Sequence, residues 1–203
     1  AAPTSIPRPS RAFLAVLFVG TLFFGVYRVL TVHQWSTQRQ AALPLLTSFE
    51  TTFDIAAWDS TGSASAKPSL DHATHGHRSL EVRARPGQRP AVVAHDLWRD
   101  WSSFELLAFD LFLDADNSVS VKLKLTDWVE WRDPDQRHVR NLLLSPGTQR
   151  VEVSLSSLET PSGRHLDTTQ INTLVIFQER CQREFTLFLD NVALDAASRV
   201  RGQ

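Results

Sequence analysis

A segment near the middle of the chain, DWVEWRDPDQRHVRN (127–141), combines two tryptophans with carboxylates and arginines. An indole can stack on the apolar face of a sugar ring, while charged and amide groups bind the hydroxyls. The same mixture of aromatic and arginine side chains is enriched at the centre of protein–protein contacts. We therefore identify a candidate binding surface, for a protein or a sugar, formed by Asp127, Trp128, Trp131, Arg132 and Arg137.

The residues before this segment predict where its indoles point. In SVSVKLKLTDW (118–128) aliphatic and polar residues alternate, as they do in a strand with one buried face. Trp128 has the parity of Lys122 and Lys124, so its side chain should leave the core. Trp131 follows in a loop that contains Pro134. We expect both indoles to be at least partly exposed.

The rest of the C-terminal part of the chain also has the pattern of strands. Alternation recurs in SLEVRAR (79–85), RVEVSLSSL (150–158) and EFTLFLDNV (184–192), whereas FELLAFDLFL (104–113) and INTLVIF (171–177) are apolar on both faces and indicate central strands. Turn-forming segments such as STGS (60–63) and SPGT (145–148) separate these runs. This pattern predicts an all-β fold, an antiparallel jelly-roll sandwich of about eight strands in two sheets.

Near the N-terminus, AFLAVLFVGTLFFGVYRVLTV (12–32) is apolar apart from Arg28 and is long enough to cross a bilayer as a helix. Arg8 and Arg11 precede it. Positive charges favour the cytoplasmic side, so we expect the N-terminus on the inner side of the cytoplasmic membrane and the sandwich on the periplasmic side. The sequence thus predicts five parts: a tail (1–11), a single-pass transmembrane helix (12–32), a linker (33–46), the sandwich (47–195) and a C-terminal tail (196–203).

Small residues in the predicted transmembrane helix indicate a helix–helix contact. Thr21 and Gly25 form a small-xxx-small pair, and Gly20 lies beside them. Small side chains let a second helix approach closely, and such packing stabilises helix association in lipid. We expect these residues to contact a transmembrane partner.

The order of short motifs along the predicted sandwich is recognisable. Ser48-Phe49-Glu50 opens it, GHRSL (76–80) enters a strand, and Asp100-Trp101 precedes LLAFDLFL. Lys124-Leu125-Thr126-Asp127 follows, then Leu166-Asp167 before INTLVIF, and LFLDNVAL (187–194) closes the domain. In this order the segment 47–195 resembles the carbohydrate-binding-module-like, galactose-binding-like β-sandwiches. The resemblance implies a fold more strongly than a ligand, because one architecture serves many functions.

The resemblance also implies a metal site. Such modules often hold a structural calcium between the first and last strands, and the matching acidic residues here are Glu50 and Asp190. A second group, DHATHGH, carries His72, His75 and His77 and could bind zinc or copper. It lacks a convincing fourth ligand, and polar residues are common in a loop before a strand, so we favour an ordinary loop.

Composition narrows the function classes. The formal net charge of −1 argues against nucleic acid as a partner. With a single cysteine, Cys181, the chain cannot form an internal disulfide. The sequence contains no nucleophile elbow, HExxH or phosphate-binding loop, so we expect a non-catalytic protein without a certain cofactor.

Two functions remain. The first is an accessory or structural subunit whose sandwich docks onto an integral-membrane protein complex, with a photosynthetic or respiratory complex as the first candidate. The second is a membrane-anchored carbohydrate-binding module for envelope or extracellular polysaccharide. The short linker keeps the sandwich near the bilayer, and no enzyme accompanies it in the chain. On the sequence alone we favour the accessory subunit.

Overall fold

The computed structural model of the chain describes residues 42–95, 97–128 and 133–196. They form an all-β domain with a short helix, α1 (Thr52–Ala56), and two 3-10 turns at Pro134–Gln136 and Leu155–Ser157. The strands are β1 (Leu45–Thr47), β2 (Trp58–Thr61), β3 (Ala64–Ser69), β4 (Ser79–Ala84), β5 (Gly87–Gln88), β6 (Ala91–Ala94), β7 (Leu106–Asp114), β8 (Val119–Asp127), β9 (His138–Leu144), β10 (Gly147–Ser154), β11 (Ile171–Phe177), β12 (Arg180–Cys181) and β13 (Phe185–Asp195).

Two antiparallel sheets make up the sandwich in these described residues. The first sheet has the order β10-β7-β13-β4-β3, and β1 pairs with β13. The second sheet has the order β2-β6-β11-β8-β9. After β6 the chain changes sheets several times, so strands that are distant in sequence become neighbours. β5 and β12 form a small separate ladder.

Aliphatic and aromatic side chains from both sheets fill the space between them. Phe109, Leu111 and Leu113 of β7 alternate with more exposed residues, and Val121 and Leu123 do the same on β8. Each of these five side chains is buried in one continuous core cluster. Burial of apolar area on this scale is the main driving force for the fold.

Trp101 of the Asp100-Trp101 motif and Trp58 both belong to this core. Trp101 has no exposed surface, and its Nε1 donates a hydrogen bond to the Trp98 carbonyl at 2.5 Å. Trp58 opens β2 and lies against Phe49, with 5.5 Å between the ring centroids. Both residues therefore serve packing.

Two boundaries differ from the sequence-based prediction. β1 lies partly in the predicted linker, because Leu45 pairs with Ala193 of β13. The strand predicted over 150–158 ends at Ser154 and continues as a 3-10 turn.

The predicted transmembrane helix 12–32, with Gly20, Thr21 and Gly25, lies outside the described residues. Within the described residues, no helix has the length and apolar character needed to span a bilayer.

Candidate functional site

Asp127 does not lie on the surface as the sequence-based prediction required. Its side chain has no exposed area. Arg164 donates to both of its carboxylate oxygens, from Nη1 to Oδ2 at 2.6 Å and from Nη2 to Oδ1 at 3.1 Å. The Asp167 N–H donates to Oδ2 at 2.7 Å. Asp127 is thus a structural acceptor that ties the end of β8 to the segment before β11, and we remove it from the candidate surface.

Trp128, the next residue, does lie at the surface. Its side chain is 44% exposed, as the alternation along β8 predicts. The Arg99 guanidinium carbon lies over the indole, 4.9 Å from the ring centroid. A guanidinium over an indole face is a favourable cation–π contact, so it orients the ring and places a positive charge beside it.

The other predicted surface residues are only partly described. Arg137 is half-buried and directly precedes β9, where it caps the 3-10 turn Pro134–Gln136. Trp131 and Arg132 lie outside the described residues. Their role in binding stays a prediction.

The strand that leads to Trp128 gives the outer face of the second sheet its chemistry. Lys122 and Lys124 point outward, because the leucines between and after them are buried in the core. Lys124 pairs in register with Val139 of β9 and with Val175 of β11. The Lys122 ammonium lies 6.0 Å from the centroid of the Phe177 ring. Apolar and cationic groups therefore alternate across this face.

The edge strand β9 adds exposed aliphatic groups to the same face. Val139 is 45% exposed and Leu143 is 73% exposed, and Asn141 lies between them with the same orientation. Exposed apolar residues grouped on one strand are a common mark of a binding surface. The outer face of the second sheet, which we define by β8, β9 and β11, is therefore the candidate site.

The outer face of the first sheet is covered instead. The segment 70–78, between β3 and β4, folds over it, and the His72 ring stacks on Phe112 with 3.4 Å between centroids. The His72 ring also meets the edge of Phe188 at 4.6 Å. The Thr74 hydroxyl donates to Asp110 at 2.8 Å. Much of this face is thus occupied by the chain itself.

The two carboxylates predicted to hold calcium fix the same segment. The Asp190 carboxylate accepts N–H groups from Thr74 at 2.6 Å, His75 at 2.7 Å and Asn191 at 2.7 Å. Glu50 accepts the N–H groups of His77 and Arg78, each at 2.7 Å. A cation bound here would have to displace these donors.

The pKa values of the two carboxyls reflect their burial and the N–H groups that they accept. Burial raises the pKa of the Asp190 carboxyl, although its N–H donors oppose the change. The His77 N–H lowers the pKa of the Glu50 carboxyl. Calcium prefers six to eight oxygen ligands. Glu50 and Asp190, with their oxygens directed at N–H donors, do not fit such a site in this arrangement, and metal analysis is the test of the prediction.

The three histidines do not converge on a metal position. His72 stacks on aromatic rings, whereas His75 and His77 use their main-chain N–H groups as donors. Among the residues that the structure describes, no group of three or more metal-binding side chains is close enough to hold an ion.

No protein-family model and no curated protein matches the chain. Among solved structures it is similar to the family 11 carbohydrate-binding module from Clostridium thermocellum in complex with a β-1,3-1,4-mixed-linked tetrasaccharide. The TM-score is 0.60, with 17% identity over 76% of this chain and 95% of that chain. A family 30 carbohydrate-binding module of a C. thermocellum cellulosomal cellulase has a TM-score of 0.54, with 12% identity over 70% of this chain and 93% of that chain.

Part of an exo-β-agarase has the same architecture. It gives a TM-score of 0.59 and 17% identity over 75% of this chain, but over only 24% of the agarase chain. These similarities confirm the fold that the motif order predicts. The described residues have a β-sandwich fold similar to that of these carbohydrate-binding modules.

Proposed function

We propose that this chain is a non-catalytic polysaccharide-binding module and that its ligand lies across the outer face of the second sheet. The observation that carries the proposal is the exposed Trp128 indole, held under Arg99 at the end of a row of outward-pointing β8 residues. An indole fixed in this way offers a flat apolar surface, and Lys122, Lys124 and Asn141 offer hydrogen bonds further along the same face.

The fold supports this function over docking to a membrane complex. The similar modules named above are carbohydrate-binding modules, and one of them is bound to a tetrasaccharide. Because the identities are below one fifth, we carry over the architecture and argue the ligand from this chain's own surface. As part of the proposal, the segment 12–32 holds the module at the cytoplasmic membrane, with the sandwich on the periplasmic side.

The test is the binding of the full chain, in detergent, to soluble polysaccharides in affinity electrophoresis. Trp128→Ala should weaken binding at least about tenfold, because removal of an anchoring aromatic commonly costs more than about 1.4 kcal/mol. Leu70→Ala is the matched control, since Leu70 is 76% exposed on the segment that covers the first sheet. Equal retardation of the two variants would refute the proposed surface.

The accessory-subunit function is a second candidate because Leu143 and Val139 expose aliphatic side chains on the edge strand β9. Aliphatic groups favour a protein partner more than a sugar. Purification from native membranes in mild detergent distinguishes the two functions. Three results together would establish the accessory subunit instead. The chain purifies in a stoichiometric complex, Leu143→Ser loses this complex, and the chain binds no polysaccharide.

A further inference from the structure

Lys124 is the most unusual cation on the outer face of the second sheet. Its side chain is half-buried although it points away from the core. Burial lowers the pKa of its ammonium group, and the nearby Arg137 and Arg89 lower this pKa further. Among the described residues, no carboxylate forms an ion pair with Lys124. The structure thus shows a positive charge that has lost part of its hydration and that has no carboxylate partner among the described residues.

A charge in this position destabilises the free protein, because burial of an ammonium group without a partner is unfavourable. Exposed lysines normally avoid the cost by extending into water. A bound anion would remove the cost, so the arrangement is typical of a surface that completes its charge balance with a ligand.

Neighbouring cations extend the positive region along the sheet. Lys122 and Arg89 share one carboxylate, Glu179, with N–O distances of 3.3 Å and 3.2 Å. One negative charge therefore balances two positive charges. At the other end, Arg99 lies over the Trp128 ring.

Acidic side chains lie at the edge of this sheet and in the turn before β9, but they pair elsewhere. Asp59 lies at the far edge of the sheet, on β2, with His95 3.7 Å away. Asp133, in the turn before β9, accepts the Asp135 N–H at 2.9 Å. Neither Asp133 nor Asp135 forms an ion pair with Lys124.

The spacing of these groups suits an extended chain. Lys122, Lys124 and Trp128 follow the same side of β8, and six residues of strand span roughly 20 Å. A polymer with a negative group on successive sugar units could contact both ammonium groups and stack on the indole.

We propose that the ligand of this face is an acidic polysaccharide, a polymer of carboxylate-bearing sugars that lies along β8 with a carboxylate on Lys124. The inference rests on the function proposed above and specifies its ligand class. Nucleic acid is a weaker candidate, because the chain as a whole has a formal charge of −1. An anionic membrane surface is the rival that the test must exclude.

The experiment measures binding of the full chain to polygalacturonate and to neutral β-1,3-1,4-glucan. Lys124→Gln should weaken polygalacturonate binding at least about tenfold, because a charge-assisted hydrogen bond is lost. Glucan binding should weaken much less than polygalacturonate binding, because a glutamine amide can still donate hydrogen bonds to neutral sugar hydroxyls. Lys67→Gln is the matched control, since Lys67 is an exposed lysine on the first sheet that forms an ion pair with Glu81. Raising NaCl from about 0.05 M to about 0.5 M should weaken polygalacturonate binding in the parent chain.

Three other outcomes overturn the inference. Glucan binding that needs Trp128, with no preference for polygalacturonate, would leave the proposed function in place and refute the acidic ligand. Absence of binding to either polymer would refute both. In phosphatidylcholine nanodiscs, we expect polygalacturonate to protect Lys124 from acetylation, read by mass spectrometry. If added phosphatidylglycerol, and not polygalacturonate, protects Lys124 from acetylation, the face binds an anionic membrane surface instead.

A folding check keeps the variant interpretable. Lys124→Gln removes a partly dehydrated charge without an ion-pair partner among the described residues, so it should melt at or above the parent temperature. If Lys124→Gln binds polygalacturonate more weakly and also melts lower than the parent, the result counts against a direct contact. In that case Lys124→Arg should fail to restore polygalacturonate binding.

Discussion

At the scale of single residues, the Asp127 carboxylate is fully buried, so loss of its partner should have a large effect on stability. Arg164→Ala removes the guanidinium that neutralises it and leaves the Asp167 N–H as a donor. We expect the free energy of unfolding to fall by about 3 kcal/mol, since breaking a buried ion pair leaves an uncompensated charge. Urea denaturation at neutral pH measures the change.

Arg83→Ala is the matched control for that measurement. Arg83 forms an ion pair with Glu184, and the two side chains are 52% and 42% exposed. Exposed pairs contribute less than about 1 kcal/mol. Similar losses in the two variants would show that the Asp127 pair is no more important than a surface contact.

Asp127 also shows where sequence-based reasoning fails. Alternation along β8 placed Trp128 outward correctly, and the same alternation puts Asp127 on the core side with Leu123 and Leu125. An acidic residue in that position needs an internal cation, which the local pattern cannot identify. The cation is Arg164, 37 residues further along the chain. Arg99, whose guanidinium lies over the Trp128 ring, likewise has no local signal, because tertiary structure alone brings it there.

At the scale of elements, the segment 70–78 is held by the carboxylates of the first sheet, and this predicts a pH dependence. Burial raises the pKa of Asp110, but hydrogen bonds from Asn191, Thr74 and Arg150 outweigh it and leave the pKa below 3.8. The folded state therefore binds a proton less readily than the unfolded state. The stabilisation is complete above about pH 5 and is lost as the pH falls through the lowered pKa.

Asp110→Asn tests this prediction by urea denaturation between neutral and acid pH. The variant should be less stable than the parent at pH 7 by about 1 kcal/mol. The difference should shrink as the pH falls below about 4. The contribution of Asp190 to stability changes with pH in the opposite sense. Its pKa is raised in the folded state, so its protonation at low pH favours the folded state. A constant difference between parent and variant would remove Asp110 from the acid response.

Elements with a strong pattern were predicted well, and those without one were missed. INTLVIF is apolar throughout, and β11 has the bounds Ile171–Phe177 that its sequence suggests. β3 has the sequence ASAKPS, whose apolar residues are only small or proline, and the proline is tolerated because β3 lies at the edge of the first sheet. β9 begins in the segment first noted for its charges and ends at Leu144, beyond it. Its inward residues His138 and Leu142 are spaced too widely among polar ones to indicate a strand.

At the scale of the whole molecule, residues 42–196 should fold without the preceding segment. Every described strand lies within this range. We expect a β-rich circular dichroism spectrum and one cooperative melting transition. EGTA should leave the melting temperature unchanged, because Glu50 and Asp190 already accept N–H donors. A lower melting temperature with EGTA, restored by calcium, would reinstate the metal site.

The architecture as a whole was predicted at the level of fold class. Alternation and turns identify strands, but they carry no information about which strands become neighbours. β7 lies between β10 and β13, and their pairings join residues about 40 and 80 positions apart in the chain. Only the motif order of a known sandwich indicated that arrangement, and it could not identify the face that binds.

The place where the sandwich begins has a mechanical consequence. β1 pairs with the last part of β13, and the Leu194 N–H donates to the Pro44 carbonyl at 2.8 Å. Tension between a held polysaccharide and the chain before residue 42 would reach the sandwich through these few bonds. β4 pairs with the earlier residues 185–189 of β13, and β7 pairs along most of its length. Under load we expect β1 to separate from β13 first, while the sheet that carries the proposed binding face keeps its pairing.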